Sequence, residues 1–344
     1  MFIDNYKIED FQAYINERFS TLAFAPLAAI EKAGEGNMNY TLRLKLEDDT
    51  SIIIKQAPPY CAKFPDIAAP EDRILVESEF YSLVHNVEAA KSYFPKFIGV
   101  DSKNKIMLIE DLGQAEDFSF LYQQQALSME EARQITDALS AINAIEPQKT
   151  IRNEGMRALN HAHIFDIPLQ QNNGLELDDI TPGLNAEALS LKTSEQYKQH
   201  VTEIGEQYFR AGNSHTGNLS AGTHLLHGDY YPGSWLKCES KIAIIDPEFG
   251  FTGPVEFDVG NLLAHMVLSQ QSEEIIQSIF NNYQAHHRFD EGLALQFAGT
   301  EIMRRLLGYA QLPLNVNLQT KVEWLALSHE LVIRPSRGLL TGGV

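Results

Sequence analysis

Apolar and polar positions along this chain follow two different periods, and the change of period divides it. From Ile8 to Phe19 the apolar residues recur at helical spacing. From about Ala28 the period falls towards two. Tyr40, Leu42, Leu44 and Leu46 alternate with polar residues, an Asp48-Asp49 turn follows, and Ser51-Ile52-Ile53-Ile54-Lys55 resumes the extended pattern, which predicts a hairpin. Pro70 and an acid-rich start open a helix over 71–86. Two further strands are predicted at 97–100 and 106–109, separated by the turn-like Asp101-Ser102-Lys103-Asn104.

After Glu110-Asp111-Leu112-Gly113 the pattern turns helical. Ser128-Met129-Glu130-Glu131 is a capping box and opens a helix that runs to Ile145. Residues 170–193 are polar and weakly periodic and read as a loop or insertion. Ser194–Arg210 is helical, His224–Pro254 is a compact β-rich patch, and four helices are expected near 256–270, 273–287, 290–309 and 319–333. No internal repeat or low-complexity tract interrupts the chain. The pattern predicts an α+β architecture of two lobes. Residues 1–111 form a small β-rich lobe, residues 112–344 a larger, mostly helical one, and the chemistry belongs in the cleft between them.

Composition narrows the functional classes. Hydrophobic residues at 44% and charged residues at 21% describe a globular chain rather than a disordered one. A formal net charge of -19 argues against a nucleic-acid backbone as partner, because that backbone would be repelled at long range. It leaves room for a nucleotide held by a few local cations and a metal. Two cysteines, Cys61 and Cys238, make no disulfide framework and read as free thiols of a reducing compartment. The N-terminus carries acids where a signal peptide needs basic residues, and no run reaches the ~18–20 apolar residues that span a bilayer. A cytoplasmic protein with a small-molecule partner, no nucleic acid and no membrane is expected, with a homodimer left open.

Several segments carry candidate chemistry. His227-Gly228-Asp229 follows the apolar Leu225-Leu226, so a strand runs into a loop that can aim one carboxylate at an acceptor hydroxyl. Alone, the tripeptide reads first as a turn with an Asx cap, and the segment that follows changes the balance. Lys241–Ile245 then reads as a strand ending in Asp246-Pro247-Glu248, two hard-oxygen ligands at i and i+2 suited to Mg²⁺. Gly34-Glu35-Gly36-Asn37-Met38-Asn39-Tyr40 supplies a flexible turn whose N–H groups can cover phosphates. It is not a Walker A loop, and no such motif occurs. Lys55 ends an apolar strand and can meet phosphates as a point charge, with Glu77 preferred over Glu79 as its helix partner. Met107–Leu112 runs into an acidic linker whose backbone can pair with a base, which draws in Glu110 and Leu112. Arg304-Arg305 lies in a late helix, about 100° apart around its axis, so both need not face the cleft.

The order of these segments resembles the aminoglycoside phosphotransferase and choline kinase superfamily, and more narrowly the S-methyl-5-thioribose kinases. The narrower likeness rests on Gly34–Tyr40, on Ile53-Ile54-Lys55-Gln56-Ala57 with Pro59-Tyr60, and on Met107–Leu112. It rests also on Asp246-Pro247-Glu248-Phe249-Gly250-Phe251 with Gly253-Pro254 and Phe257-Asp258-Val259-Gly260, and on Arg304-Arg305-Leu306-Leu307-Gly308. Asp-Pro-Glu is the distinctive segment, since most of the superfamily lacks the glutamate. The resemblance implies a protein-kinase-like fold and transfer of the ATP γ-phosphate to the anomeric hydroxyl of methylthioribose, in methionine salvage. By it, Asp229 is the catalytic base, Asp246 and Glu248 hold Mg²⁺, and Lys55 holds the ATP phosphates, with Gly34, Gly36, Asn37, Asn39, Glu77, Glu110, Leu112 and Ser234 around the nucleotide. Arg304 and Arg305 bind the sugar and the transferred phosphate.

The catalytic loop departs from the family's. After the aspartate, Leu-His-Thr-Gly-Ser is usual, and here Tyr230-Tyr231-Pro232-Gly233-Ser234 stands instead. Tyr230 and Tyr231 are therefore candidate substrate contacts, and Ser234 takes the place of a metal-binding asparagine of the wider superfamily. Three functions follow. The first is a kinase for methylthioribose or a related pentose. The second is a kinase for a cationic alcohol such as choline or an aminoglycoside, which the two arginines would repel if they face the pocket. The third is a non-catalytic nucleotide-binding scaffold, which would not require Lys55, Asp229, Asp246 and Glu248 together.

Overall fold

The computed structural model describes residues 3, 7–22, 24–34, 36, 38–149, 151–210 (the backbone alone at 210), 224–239, 241–284 and 289–342. Helix α1 (Ile8–Arg18) comes first, and its Phe11, Tyr14 and Ile15 are buried. Strands β1 (Leu27–Lys32), β2 (Tyr40–Leu46) and β3 (Ser51–Gln56) follow, then a small ribbon of β4 (Tyr60–Cys61) and β5 (Phe64–Ala68). Helices α2 (Arg73–His85) and α3 (Glu88–Lys91) lead to β6 (Phe97–Asp101) and β7 (Ile106–Glu110).

Five of these strands form one antiparallel sheet in the order β1-β2-β3-β7-β6. β3 lies at its centre, where Lys55 pairs with Thr41 on one side and Met107 on the other. Successive side chains of a strand point to opposite faces. Ile52 and Ile54 therefore share a core with Leu44, Leu108, Phe11 and Ile15 under α1. Lys55 is left on the opposite face, where α2 crosses. The buried face of α2, built from Ile74, Phe80, Tyr81 and Val84, belongs to a second core continuous with the helical remainder.

That remainder begins with β8 (Glu116–Asp117), α4 (Met129–Asn143), α5 (Glu154–His161), α6 (Leu177–Ile180), α7 (Leu184–Thr193) and α8 (Glu195–Arg210). The Ser128 capping box forms: Glu131 N donates to Ser128 Oγ at 3.2 Å, and Ser128 N donates to Glu131 Oε2 at 2.8 Å. The β-rich patch consists of β9 (His224–Leu226), β10 (Trp235–Lys237), β11 (Ile242–Ile244) and β12 (Phe251–Gly253), with β11-β10-β8 in one small sheet and β12-β9 in another. Helices α9 (Glu256–Leu268), α10 (Glu273–Asn282), α11 (Glu291–Leu307), α12 (Leu318–Ile333) and α13 (Gly338–Thr341) complete the chain. α9 and α11 cross closely at Gly260, where a Cβ would stand 2.5 Å from Phe297 Cβ and 2.6 Å from Ala294 O. This contact sets the distance between the buried acids of the two helices.

One expectation is corrected here. Residues 170–193 are largely helical rather than loop, because Leu184, Ala188 and Leu191 sit at i, i+4 and i+7 and bury one face of α7. The polar residues around them mask that stripe in the sequence. Cys61 and Cys238 are both free thiols. Among the described residues no helix is long and apolar enough to cross a membrane.

Candidate active site

A cavity of about 370 Å³ opens between the five-stranded sheet and the β10–β11 hairpin. Gly34 and Gly36, Lys55, the linker residues Glu110 and Leu112, and Gly233 and Asp246 all line it. Gly34 has φ +83°, a conformation that favours glycine. The linker is clamped by the sheet. Arg43 Nε donates to Asp111 Oδ2 at 2.5 Å, while Arg43 Nη2 donates to Asp111 Oδ1 at 3.0 Å and to Gly113 O at 2.9 Å. Ser51 Oγ donates to Asp111 Oδ2 as well, at 2.5 Å. Burial works against an Asp111 carboxylate, but Arg43 and Ser51 outweigh it and hold the group below its usual range. The Glu110 carboxylate turns to the strand behind it, accepting from Lys96 N at 2.9 Å.

Below the glycine turn a charge cluster draws on the residue before β2, on β3 and α2, and on the loop after β11. Lys55 Nζ is 2.5 Å from Glu77 Oε1 and 2.6 Å from Asp246 Oδ1. Burial alone would push this ammonium to lose its proton, yet Asp246 and Glu77 hold it well above the usual lysine range. Glu79, on the far side of α2, is exposed. Asp246 has φ +61°, strained for a non-glycine residue and tolerated where surrounding structure over-determines it. Glu248 Oε2 accepts from Asn39 Nδ2 at 2.8 Å and lies 3.3 Å from Arg73 Nε. Burial pushes its carboxyl up to about 8, against the pull of Lys55 and Arg73.

The catalytic loop is held from behind by Asp258 on α9. Its carboxylate accepts from His227 N at 2.7 Å and from Gly228 N at 3.0 Å. His227 Nε2 donates to Ile245 O at 2.9 Å, which ties this loop to the strand carrying Asp246. Gly228 has φ +82°, and a Cβ there would collide with Phe249 O. Asp229 emerges 3.5 Å from Arg305 Nη2 and 4.0 Å from Arg304 Nη1, too far for hydrogen bonds. Burial raises its pKa, and Arg305 and Arg304 oppose the rise.

The two arginines are restrained chiefly by an acid on their own helix. Glu301 Oε1 accepts from Arg305 Nε at 2.6 Å, and Glu301 Oε2 accepts from Arg304 Nη1 at 3.0 Å. Burial opposes ionisation of Glu301, but Arg304, Arg305 and the His265 hydrogen bond outweigh it and hold the carboxyl well below its usual range. His265 Nε2 is 3.3 Å from Glu301 Oε1, and its Nδ1 is 2.7 Å from Tyr122 Oη. Tyr231 lays its ring 4.9 Å under the Arg305 guanidinium. Arg304 Nε and Arg305 Nη2 are buried and make no hydrogen bond with the described residues. Residues 162–174 brace the end of α11: Tyr309 Oη donates to Asn173 O at 2.7 Å and Asn173 Nδ2 donates to Leu307 O at 3.0 Å.

The structure thus gathers Gly34, Gly36, Lys55, Glu110, Leu112 and Asp246 on one cavity, with Glu77 and Glu248 behind it. Asp229, Tyr231, Arg304 and Arg305 meet beyond Gly233. Asn37 lies outside the described residues. Three further candidates are engaged by the protein itself. Tyr230 is a core residue, fully buried, with its hydroxyl donating to Ile135 O at 2.7 Å. Ser234 is 2% exposed and donates its hydroxyl to Asp229 O at 3.0 Å, which braces the loop. Asn39 spends its amide between Arg73 and Glu248.

Sequence reasoning missed Arg43, Arg73, Asp258 and Glu301. A charged residue on the apolar face of a helix was the available signal for Arg73, one turn before Glu77, and for Asp258 within the apolar α9. Glu301 carried the i, i+3 and i+4 spacing to the two arginines.

Comparison with known proteins identifies the family and the fold. The model of a phosphotransferase enzyme family matches residues 30–293. A methylthioribose kinase of Geobacillus sp. (strain WCH70) is 25% identical over 367 residues, covering 92% of this chain and 86% of that protein. A methylthioribose kinase of Enterobacter sp. (strain 638) is 25% identical over 263 residues, 71% of this chain and 61% of that protein. Among solved structures, a spectinomycin phosphotransferase in complex with ADP and spectinomycin matches with a TM-score of 0.53 at 15% identity, over 97% of this chain and 99% of that one. A choline/ethanolamine kinase family protein from Mesorhizobium loti matches with a TM-score of 0.52 at 14% identity, over 98% and 99%. The fold is the α+β, protein-kinase-like one of these proteins.

Proposed function

The chain belongs to the phosphotransferase enzyme family, and from that premise we propose that it is an ATP- and Mg²⁺-dependent kinase of a small sugar, methylthioribose or a related pentose. The observation that carries the reading is the cavity itself. It brings the glycine turn, Lys55, the linker and Asp246 to one space, and its Gly233 belongs to the loop that bears Asp229. Residues 1–111 would be the nucleotide lobe and residues 112–344 the lobe that binds the acceptor.

The residues present fit a magnesium nucleotide. Asp246 and Glu248 each engage protein through one oxygen, Oδ1 and Oε2 respectively, and so keep a second hard oxygen for a cation. Two carboxylates are not a full cage, and Mg²⁺ ordinarily completes its shell with water and phosphate oxygens. When bound, the magnesium nucleotide supplies the phosphoryl group and a cation to share its charge. Lys55, held charged by two acids, would meet the phosphates. Asp229 would orient the acceptor hydroxyl and take its proton. Arg304 Nε and Arg305 Nη2, which make no hydrogen bond with the described residues, would donate to the oxygens of the transferred group or to a neighbouring sugar hydroxyl.

Those arginines favour a neutral or anionic acceptor over a cationic one. With methylthioribose as that acceptor the enzyme would serve methionine salvage, and dependence on ATP would accord with a cytoplasmic location. ADP release with Mg-ATP over methylthioribose, ribose, choline and one aminoglycoside tests the reading. Turnover on methylthioribose alone is expected. Turnover on choline or the aminoglycoside would move the substrate to the cationic class, and no turnover on any would remove the sugar-kinase reading.

A further inference from the structure

Arg73 is fully buried, and nothing about the phosphoryl-transfer chemistry requires an arginine at the start of α2. Burying a guanidinium costs several kcal/mol unless every donor is satisfied. Here all five are. Nε donates to Asn39 Oδ1 at 2.9 Å. Nη1 donates to Pro58 O and Pro70 O, both at 2.8 Å. Nη2 donates to Met38 O at 2.7 Å and to Tyr60 O at 3.2 Å. The acceptors come from three separate places: the exit of the glycine turn, the segment that follows the Lys55 strand, and the start of α2.

The carboxylate paired with this guanidinium is Glu248, 3.3 Å from Nε. Asn39 closes a triangle, since its Oδ1 takes the Arg73 proton and its Nδ2 donates to Glu248 Oε2 at 2.8 Å. Arg73 and Asn39 together therefore decide which Glu248 oxygen faces the protein and which is left over. A planar fork with five fixed donors can do this, and a lysine ammonium cannot span the same acceptors.

We propose that Arg73 is a positioning residue that fixes Glu248 and the exit of the glycine turn as one unit, so that a divalent cation on Glu248 and a nucleotide under the turn assist each other's binding. This rests on the reading of Asp246 and Glu248 as cation ligands. Partners of this kind behind a metal ligand are typically worth about 10–100-fold in metal affinity.

The test is ADP binding by calorimetry, in EDTA and in Mg²⁺, for the wild-type chain, Arg73→Met, Arg73→Lys and Asn39→Ala, with thermal melts alongside. In the wild type Mg²⁺ tightens ADP. In Arg73→Met that gain shrinks about tenfold or more. Arg73→Lys recovers little of it, and Asn39→Ala, which keeps the arginine and its main-chain contacts, loses an intermediate part. An undiminished Mg²⁺ gain in Arg73→Lys and Asn39→Ala, even with lowered melting temperatures, would make Arg73 a fold residue only and overturn the proposal. A wild type whose ADP affinity ignores Mg²⁺ would overturn the cation reading and this proposal with it.

Discussion

Two charge clusters stand on the proposed nucleotide and acceptor sides of the site, and they are built in opposite ways. On the nucleotide side, Lys55 from β3 meets Glu77 from α2 and Asp246 from the loop after β11, with the two hydrogen-bonding residues as much as 191 positions apart. On the acceptor side, Glu301, Arg304 and Arg305 are three and four residues apart on one helix. The first cluster exists only when both lobes are assembled. The second is pre-formed by helical geometry, and tertiary structure has only to add His265 and Tyr122 behind it. Cations are treated differently as well. Lys55 spends two of its three donors on acids and stays fixed, whereas Arg304 Nε and Arg305 Nη2 make no hydrogen bond with the described residues. A phosphate tail needs a rigid cradle, while a transferred group needs donors that are engaged only when charge arrives.

The largest expected effect breaks the acceptor side alone. Asp229→Asn should lower kcat by about 10²–10⁴-fold while leaving ADP affinity within about twofold in calorimetry. An equal loss of ADP binding would show that the two clusters are not separable.

Glu301→Gln is the next largest. It removes charge-assisted hydrogen bonds to both arginines, which corresponds to about a tenfold to hundredfold loss in kcat/KM for the acceptor. It also gives a pH signature. Burial raises the Asp229 pKa, with Arg305 and Arg304 opposing, and the Glu301 charge adds to the rise. A base must be ionised, so activity falls as pH drops through that raised value. Without the Glu301 charge the Asp229 pKa falls, and the acid limb of kcat/KM should move to lower pH. A limb that stays in place would detach Glu301 from Asp229.

Glu77→Gln should be the mildest. Lys55 keeps Asp246, so stability falls by only about 1–3 kcal/mol, read as a lower melting temperature. ADP affinity weakens several-fold and acceptor KM stays put. A change in acceptor KM would show that the clusters communicate.

Much of the fold was legible. The alternation at Tyr40–Leu46 and Ile52–Ile54, the Ser128 capping box and the late helices are local signals, and local signals survive without a structure. Asp229, Lys55 and the Asp246–Glu248 pair were legible as positions because loop-borne and strand-end charges interrupt apolar runs. Their mutual distances were not. Tyr230 and Tyr231 are adjacent and chemically identical in the sequence, yet one is core and the other lies under Arg305. Only the direction in which the loop leaves β9, set by Asp258 and Gly228, separates them.

By itself the sequence determined the strand and helix register, and with it which residues could share a face. It also determined that Glu301, Arg304 and Arg305 can meet along one helix, because side chains three and four residues apart are neighbours on its surface. Tertiary structure alone decided that Asp246 joins Glu77 on Lys55, and that Asn39 and Ser234 serve their neighbours. It decided too that Arg73 becomes the buried counter-ion of Glu248. Each of these depends on contacts between residues far apart in the chain, where burial forces every polar group to find a partner and a linear pattern does not say which one.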